Sequence, residues 1–268
     1  METVTSRDGT PIAFERLGDG PPVIAICGAI CGAMCDRVLM RPTAEELAKH
    51  FTVFNYDRRG RGDSGDTSPY AIGREIEDLD ALITEAGGNA YVYGHSSGAG
   101  LALHAAAAGL TVSRLVLHDP PYTPDGDEEA RQSAREYGEE LKARLSEGRR
   151  GDAVELFFAA VGMPREMVDE MRQIPRWAEL EEIAPTLAND SEVMGDVGRD
   201  STIPVNRAGA VTVPALVLTG GADHPWMTDV GRRLAEVLPQ GRHRVLEGQE
   251  HGVPPEVLVP VLRGFLAD

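Results

Sequence analysis

Short apolar runs alternate with longer amphipathic stretches over the first 123 residues. Residues 23–27 are apolar without a break, as expected of a strand buried on both faces. Residues 10–17, after the turn Asp8-Gly9, and residues 51–56, 90–93 and 115–117 read as further strands. Between them, residues 43–49 read as a helix with Thr43 as N-cap before Glu46, and residues 70–86 as a helix stopped by Gly87-Gly88. A small-residue helix follows at 99–108. The rhythm returns late in the chain, with strands at 215–219 and 243–246 and helices at 229–238 and 254–267. Strands alternating with helices at this spacing predict an α/β fold with a mostly parallel central sheet.

Residues 124–206 break the pattern. No strand period survives there, and acidic, arginine-rich helical segments are expected at 128–148, 152–161, 164–173, 175–183 and 185–194. The expected organisation is therefore a core of residues 1–123 and 207–268, with residues 124–206 as a helical insertion between its two parts. The charge runs of this insertion read as solvated faces. Its Phe157, Phe158, Met163, Met167, Met171, Trp177 and Met194 read first as helix core and second as pocket lining.

Composition narrows the function. With 26 Lys+Arg against 43 Asp+Glu, the net charge of −17 argues against nucleic acid and anionic membrane surfaces as partners. At 42% hydrophobic residues the chain can bury a core without staples. Its longest apolar run, residues 23–34, is too short to span a bilayer, and residues 1–8 do not resemble a leader, so a cytoplasmic protein is the expectation. Cys27, Cys31 and Cys35 are odd in number and lack a fourth ligand nearby, so they read as small apolar fillers rather than a disulfide framework or a metal site; a redox-sensitive pair is the secondary reading.

The chemistry concentrates at Gly94-His95-Ser96-Ser97-Gly98, a G-x-S-x-G between a strand and a helix. That context predicts a nucleophile elbow with Ser96 at its apex, and glycines on either side where strand and helix must approach closely. The helix start beyond Ser96 offers free N–H groups to a developing oxyanion. Ser97, one residue off the apex, is a weaker candidate nucleophile. A serine hydroxyl needs a base within reach and an acid to orient that base. His251, in a loop before the last helix, is the candidate base. His50, His104 and His243 fall on or beside regular elements and read as structural, whereas His118 and His224 abut candidate acids. Asp57 and Asp63 read as turn formers paired with Arg58, Arg59 or Arg61.

Taken together, these residues resemble the α/β-hydrolase superfamily over nearly the whole chain, and the resemblance implies that residues 124–206 are the helical cap this fold carries after strand 6. Asp57-Arg58-Arg59-Gly60-Arg61-Gly62-Asp63-Ser64 looks like its D-x-R-G-x-G-x-S loop, Thr219-Gly220-Gly221-Ala222-Asp223 like the strand end that often bears the acid, and Glu250-His251-Gly252 like its histidine loop. Within that group the chain is most similar to small actinobacterial hydrolases and, more distantly, to fungal lactone hydrolases around Ser96-Ser97-Gly98-Ala99 and His118-Asp119. It departs from the group in carrying Cys27-Gly28-Ala29 where His-Gly is common. The resemblance implies Ser96 as nucleophile, His251 as base, and backbone N–H groups of Ala29 and Ser97 as the oxyanion hole. It leaves two acids open: Asp223 at the superfamily's commoner place, and Asp119, where the similar actinobacterial hydrolases carry theirs. Of the two, it favours Asp119. Ile30, His95, Trp177 and Trp226 are the candidate pocket residues, although His95 should point away from the apex.

The expected function is hydrolysis of a carboxylic ester or lactone of a small hydrophobic molecule, with no cofactor and no metal. Other readings remain: C–C bond hydrolysis, cofactor-free peroxide chemistry or a biosynthetic cyclisation on the same fold, and a hydrolase-like receptor for a small ligand. Oligomeric state and natural substrate are not legible.

Overall fold

The computed structural model describes residues 1–29 and 36–267. Ile30, Cys31 and Cys35, and with them the expectations of a pocket residue and a thiol pair, lie outside the described residues. An eight-stranded sheet forms the centre, in the order β1-β2-β4-β3-β5-β6-β7-β8. The strands are β1 (Glu2–Thr5), β2 (Pro11–Leu17), β3 (Pro22–Ile26), β4 (Thr52–Tyr56), β5 (Ala90–His95), β6 (Val112–His118), β7 (Ala215–Gly220) and β8 (Gly241–Leu246). β1 and β2 join antiparallel, and β3 to β8 run parallel to one another.

Period-two alternation sends successive side chains to opposite faces of the sheet. Ile24 and Ile26 belong to one apolar cluster with Val92, Leu115, Leu117 and Val217, while Val23 and Ala25 belong to a second with Val53, Tyr93, Val116 and Leu218. The first face is covered by α2 (Ile72–Glu85), α3 (Ser97–Ala107) and α11 (Pro225–Val237). The second is covered by α1 (Asp36–Leu47) and α12 (Pro255–Leu266). Between β6 and β7 the chain runs through α4 (Glu128–Ser146), α5 (Arg150–Ala160), α6 (Arg165–Met171), α7 (Arg176–Ile183), α8 (Leu187–Met194), α9 (Asp196–Arg199) and α10 (Val205–Ala208). α4 opens on Asp127, whose side chain accepts from the Ala130 N–H at 2.9 Å, a standard use of an N-cap carboxylate. A single isolated bridge, Thr123 to Thr202, closes the base of this helical segment.

Several elements differ from the sequence expectation. Thr43 is not an N-cap: α1 begins at Asp36, so Thr43 lies inside it, one residue after Pro42. Pro42 removes one helix bond, but Met40, Ala44 and Leu47 at i, i+4 and i+7 are all buried in the second cluster, and that burial outweighs the lost bond. α11 starts before residue 229 because Pro225 occupies its first turn, where a missing N–H costs nothing. β1, α9 and α10 carry four residues each, too short for a period to declare itself.

Register places the chemistry. His95 pairs with His118, and His118 pairs with Leu218. The residues that follow those positions, Ser96, Asp119 and Thr219-Gly220-Gly221, therefore emerge side by side at the carboxyl edge of the sheet, where open α/β sheets hold their ligands.

Candidate active site

Ser96 caps α3 with φ 57° and ψ −128°, a left-handed backbone at a residue with a side chain. Its N–H donates to the His118 carbonyl at 2.9 Å, which locks the turn to the end of β6. Such strain is kept where function repays it. The turn closes only because Gly98 lacks a Cβ: one placed there would stand 2.5 Å from the Ile26 carbonyl oxygen and 2.6 Å from that of Cys27. Gly28 is equally constrained, since a Cβ on it would meet Ser96 Cβ at 2.7 Å. The loop after β3 thus lies directly against Ser96, with Ala29 next in line. Ser97 opens α3, and the first N–H groups of a helix have no intrahelical acceptor.

Asp119 also has a left-handed backbone, φ 45°, and is fully buried. Its N–H donates to the Leu218 carbonyl at 2.9 Å, and its Oδ1 accepts from the Gly220 N–H at 3.1 Å. The other oxygen, Oδ2, stands 3.5 Å from His251 Nδ1 and 3.5 Å from His118 Nε2. Asp223 approaches the same atom less closely, with Oδ2 at 3.8 Å from His251 Nδ1 and Oδ1 accepting from the His224 N–H at 2.7 Å. Both facing carboxylate oxygens are buried with no closer partner. The half-buried His251 is therefore flanked at Nδ1 by two acids rather than one.

Two further imidazoles complete the cluster. His95 stacks on His251 with ring centroids 4.5 Å apart, and its Nε2–H donates to the His251 carbonyl at 3.0 Å. Burial first, and His251 beside it, lower His95 to about 3, so it stays neutral. His118 is held neutral by burial and by His95 and His251, well below its ordinary value. Because His118 Nε2 faces a carboxylate, that nitrogen carries the proton, and Nδ1 accepts from the buried Tyr93 hydroxyl at 2.8 Å. His118 Nε2 and Asp119 Oδ2 thus face each other at 3.5 Å inside the fold. A cavity of about 150 Å³ is lined by Cys27, Tyr93, His95, His118 and His251, among others.

His95, Asp119 and His251 bring ligand atoms within 4.8 Å of one another, a donor set a metal could use. Yet His95 Nε2–H is already given to the His251 carbonyl, and His251 Nδ1 already faces its carboxylates.

The other residues singled out by sequence fall as follows. Trp177 is buried in an apolar cluster that joins Ala29 to Leu141, Val154, Phe158 and Leu180 of the helical segment, and its Nε1–H donates to Glu181. Trp226 is partly exposed in the first turn of α11 and stacks on His224. Neither Asp57 nor Asp63 pairs as expected. Arg37 binds both, at 3.2 and 2.8 Å, and Asp57 Oδ2 also accepts from the Asp63 N–H. Arg58, Arg59 and Arg61 turn inward instead and are buried. Arg59 binds Asp78 and Asp8, while Arg58 and Arg61 share Asp190 of α8, which sequence reasoning had left on a solvated face. An Arg-Arg-x-Arg run in one loop signals a need for carboxylates; nothing in the sequence says which.

A profile of the alpha/beta hydrolase family matches residues 30–257. An alpha/beta hydrolase from Sphaerobacter thermophilus is 48% identical over 99% of this chain and 100% of that one, with a TM-score of 0.84. An esterase from Thermogutta terrifontis is 22% identical over 99% and 97% of the two chains, TM-score 0.68. An enol-lactonase from Burkholderia xenovorans is 19% identical over the full length of both, TM-score 0.67. The last two likenesses are likenesses of fold. Among the described residues, no helix is long and apolar enough to cross a membrane.

Proposed function

The chain belongs to the alpha/beta hydrolase family, and on that footing we propose that it is a serine hydrolase that cleaves a carboxylic ester or lactone through an acyl-Ser96 intermediate. One observation carries the reading. A serine in a strained left-handed turn shares a sheet edge with an imidazole whose Nδ1 faces buried carboxylates. A weak nucleophile needs an oriented base of this kind beside it, and this pairing of elbow and carboxylate-facing imidazole supports the reading.

In the proposed cycle Ser96 Oγ attacks the carbonyl carbon and its proton passes to His251. The oxyanion is held by the N–H groups of Ala29 and Ser97. As the tetrahedral intermediate collapses, the leaving alkoxide takes the proton from His251. Water then gives its proton to His251 and attacks the acyl carbon, and Ser96 departs with that proton. Asp119 orients His251 and faces the imidazolium charge in both halves. Asp223 is the secondary carboxylate. The segment from α4 to α10 acts as a cap over the sheet edge, and its apolar cluster reaches Ala29, which supports a hydrophobic acyl group or ring next to the reacting carbonyl.

The test is a panel of short-chain p-nitrophenyl esters, aliphatic lactones and β-diketones. Turnover of esters or lactones, with a fall of at least about 10³ in Ser96→Ala, is expected. Turnover of β-diketones alone would move the protein to C–C bond hydrolysis. Undiminished ester turnover in Ser96→Ala would refute the reading.

A further inference from the structure

Arg58 and Arg61 are large charged side chains with almost no exposure, so each must be matched by charge. Arg58 holds Glu75 with two parallel bonds, Nε to Oε2 and Nη2 to Oε1, both 2.8 Å. Its Nη1 donates to Asp190 Oδ1 at 2.7 Å and lies 3.4 Å from the Cys27 carbonyl oxygen. Arg61 donates from Nη2 to Asp190 Oδ2 at 2.6 Å, from Nη1 to the Gly28 carbonyl at 2.7 Å, and from Nε to Thr186 Oγ1 at 3.2 Å. Asp190 Oδ1 accepts one more bond, from Ser97 Oγ at 2.7 Å. Burial pushes Asp190 up, but Arg61 and Arg58, with Ser97, outweigh it and hold the carboxyl below its ordinary value; Glu75 is held down in the same way, chiefly by Arg58.

Among the described residues, two guanidinium groups here face two carboxylates. What they fix is position. The carbonyls of Cys27 and Gly28 precede Ala29, and Ser97 is the residue after the nucleophile. One carboxylate, on a helix of the segment inserted after β6, ties together the two backbone stretches that supply both oxyanion donors. We infer that Asp190 is the positioning residue of the oxyanion hole, so that docking of α8 on the core and alignment of the Ala29 and Ser97 N–H groups are a single event. The inference rests on the serine-hydrolase reading above.

A cluster that only glued the insertion to the core would have no need of Ser97, and buried ion pairs are weak glue. The sign of one substitution separates positioning from a field effect. Asp190→Asn removes a negative charge close to the forming oxyanion. Acting through the field alone, that change should favour the oxyanion and raise the rate. Acting through position, it should lower the rate.

The experiment compares wild type, Ser97→Ala and Asp190→Asn on a short-chain p-nitrophenyl ester. Rates are normalised to the fraction of sites that react with a fluorophosphonate, which removes any misfolded protein from the comparison. A trifluoromethyl ketone, to whose carbonyl carbon Ser96 Oγ adds to form a hemiketal oxyanion while the serine proton passes to His251, reads alignment directly. Loss of a whole donor costs about 10²–10³ in kcat, so misalignment should cost on the order of 10 in Ser97→Ala and 10 to 100 in Asp190→Asn. KM should stay within about threefold, and ketone affinity should fall by the same factor as kcat/KM. Unchanged kcat per labelled site in both variants would overturn the inference. So would faster turnover in Asp190→Asn, or a rise in KM at constant kcat. If Asp190→Asn does not fold, Ser97→Ala, which keeps all four charges, decides by the same criteria. A wild type that neither turns over esters nor labels would instead sink the serine-hydrolase reading, and this inference with it.

Discussion

Asp119→Asn should be the most damaging conservative substitution around His251. The change keeps the shape and the Oδ1 bond from the Gly220 N–H. With oxygen committed there, the new amide turns its N–H₂ toward His118 Nε2 and His251 Nδ1, each 3.5 Å from the present Oδ2. Three donors then meet with no acceptor, and His251 relieves the conflict by moving its proton to the nitrogen that must accept from Ser96. The lost charge can be sized as well. At 3.5 Å and an effective dielectric of about 20, a carboxylate attracts the imidazolium of the transition state by about 5 kcal/mol, which corresponds to 10³–10⁴ in rate. Asp223, at 3.8 Å, would give about 4 kcal/mol at the same dielectric, so distance alone barely separates the two acids. The difference lies in their seats. Asp119 is fully buried at a strand end and pinned by two backbone bonds, whereas Asp223 sits between exposed Ala222 and His224. With its side chain partly open to water where that of Asp119 is closed, Asp223 acts across a higher effective dielectric, so Asp223→Asn should cost less, on the order of 10- to 100-fold. kcat/KM on a p-nitrophenyl ester, with thermal unfolding to show that both variants fold, decides between them. A more severe Asp223→Asn, or comparable losses in both, would refute the assignment.

Gly98→Ala should destabilise the fold by at least about 2 kcal/mol and lower activity, because its Cβ would press on the rigid carbonyls of Ile26 and Cys27; Gly73→Ala, with nothing within 4 Å, is the control and should be neutral or stabilising in the same denaturant titration. Asp196 is raised by burial from 3.8 to about 6, against bonds from Ser191 and Ser201. Burial of the charged form therefore lowers stability as pH rises: the contribution of the protonated form is full below about 3.8, falls progressively above it, and is gone once pH has passed about 6. Unfolding free energies should show wild type losing about 1–1.5 kcal/mol relative to Asp196→Asn between pH 5 and pH 8, and a constant difference would contradict the assignment.

Much of this architecture is legible from local pattern. The runs at 23–27 and 215–218 are unbroken apolar because both faces are buried, and the elbow is legible because a strand, G-x-S-x-G and a helix must follow one another in order. Ser96, His251 and the pair Asp119 and Asp223 could be named for the same reason: each stands directly after a strand or in a loop at the sheet edge. Contacts between distant segments were not legible. Asp190 reads as one acid among many on a short helix, and only the fold brings it to Ser97, Arg58 and Arg61. The inward turn of those arginines, and the release of Asp57 and Asp63 to Arg37, follow from it. His118 was visible as a neighbour of an acid, but its bond to the Tyr93 hydroxyl depends on β6 lying beside β5. Thr43 misled because its spacing to Glu46 is that of a capping box, while the buried stripe of Met40, Ala44 and Leu47 is a tertiary fact.

The account turns on an activated Ser96. Incubation with a fluorophosphonate, followed by peptide mapping by mass spectrometry, tests this without knowledge of the natural substrate. The account predicts one stoichiometric adduct on Ser96, absent in Ser96→Ala and formed at least about 10²-fold more slowly in His251→Ala. No adduct, an adduct on Ser97, or labelling of Ser96 at the same rate without His251 would contradict it.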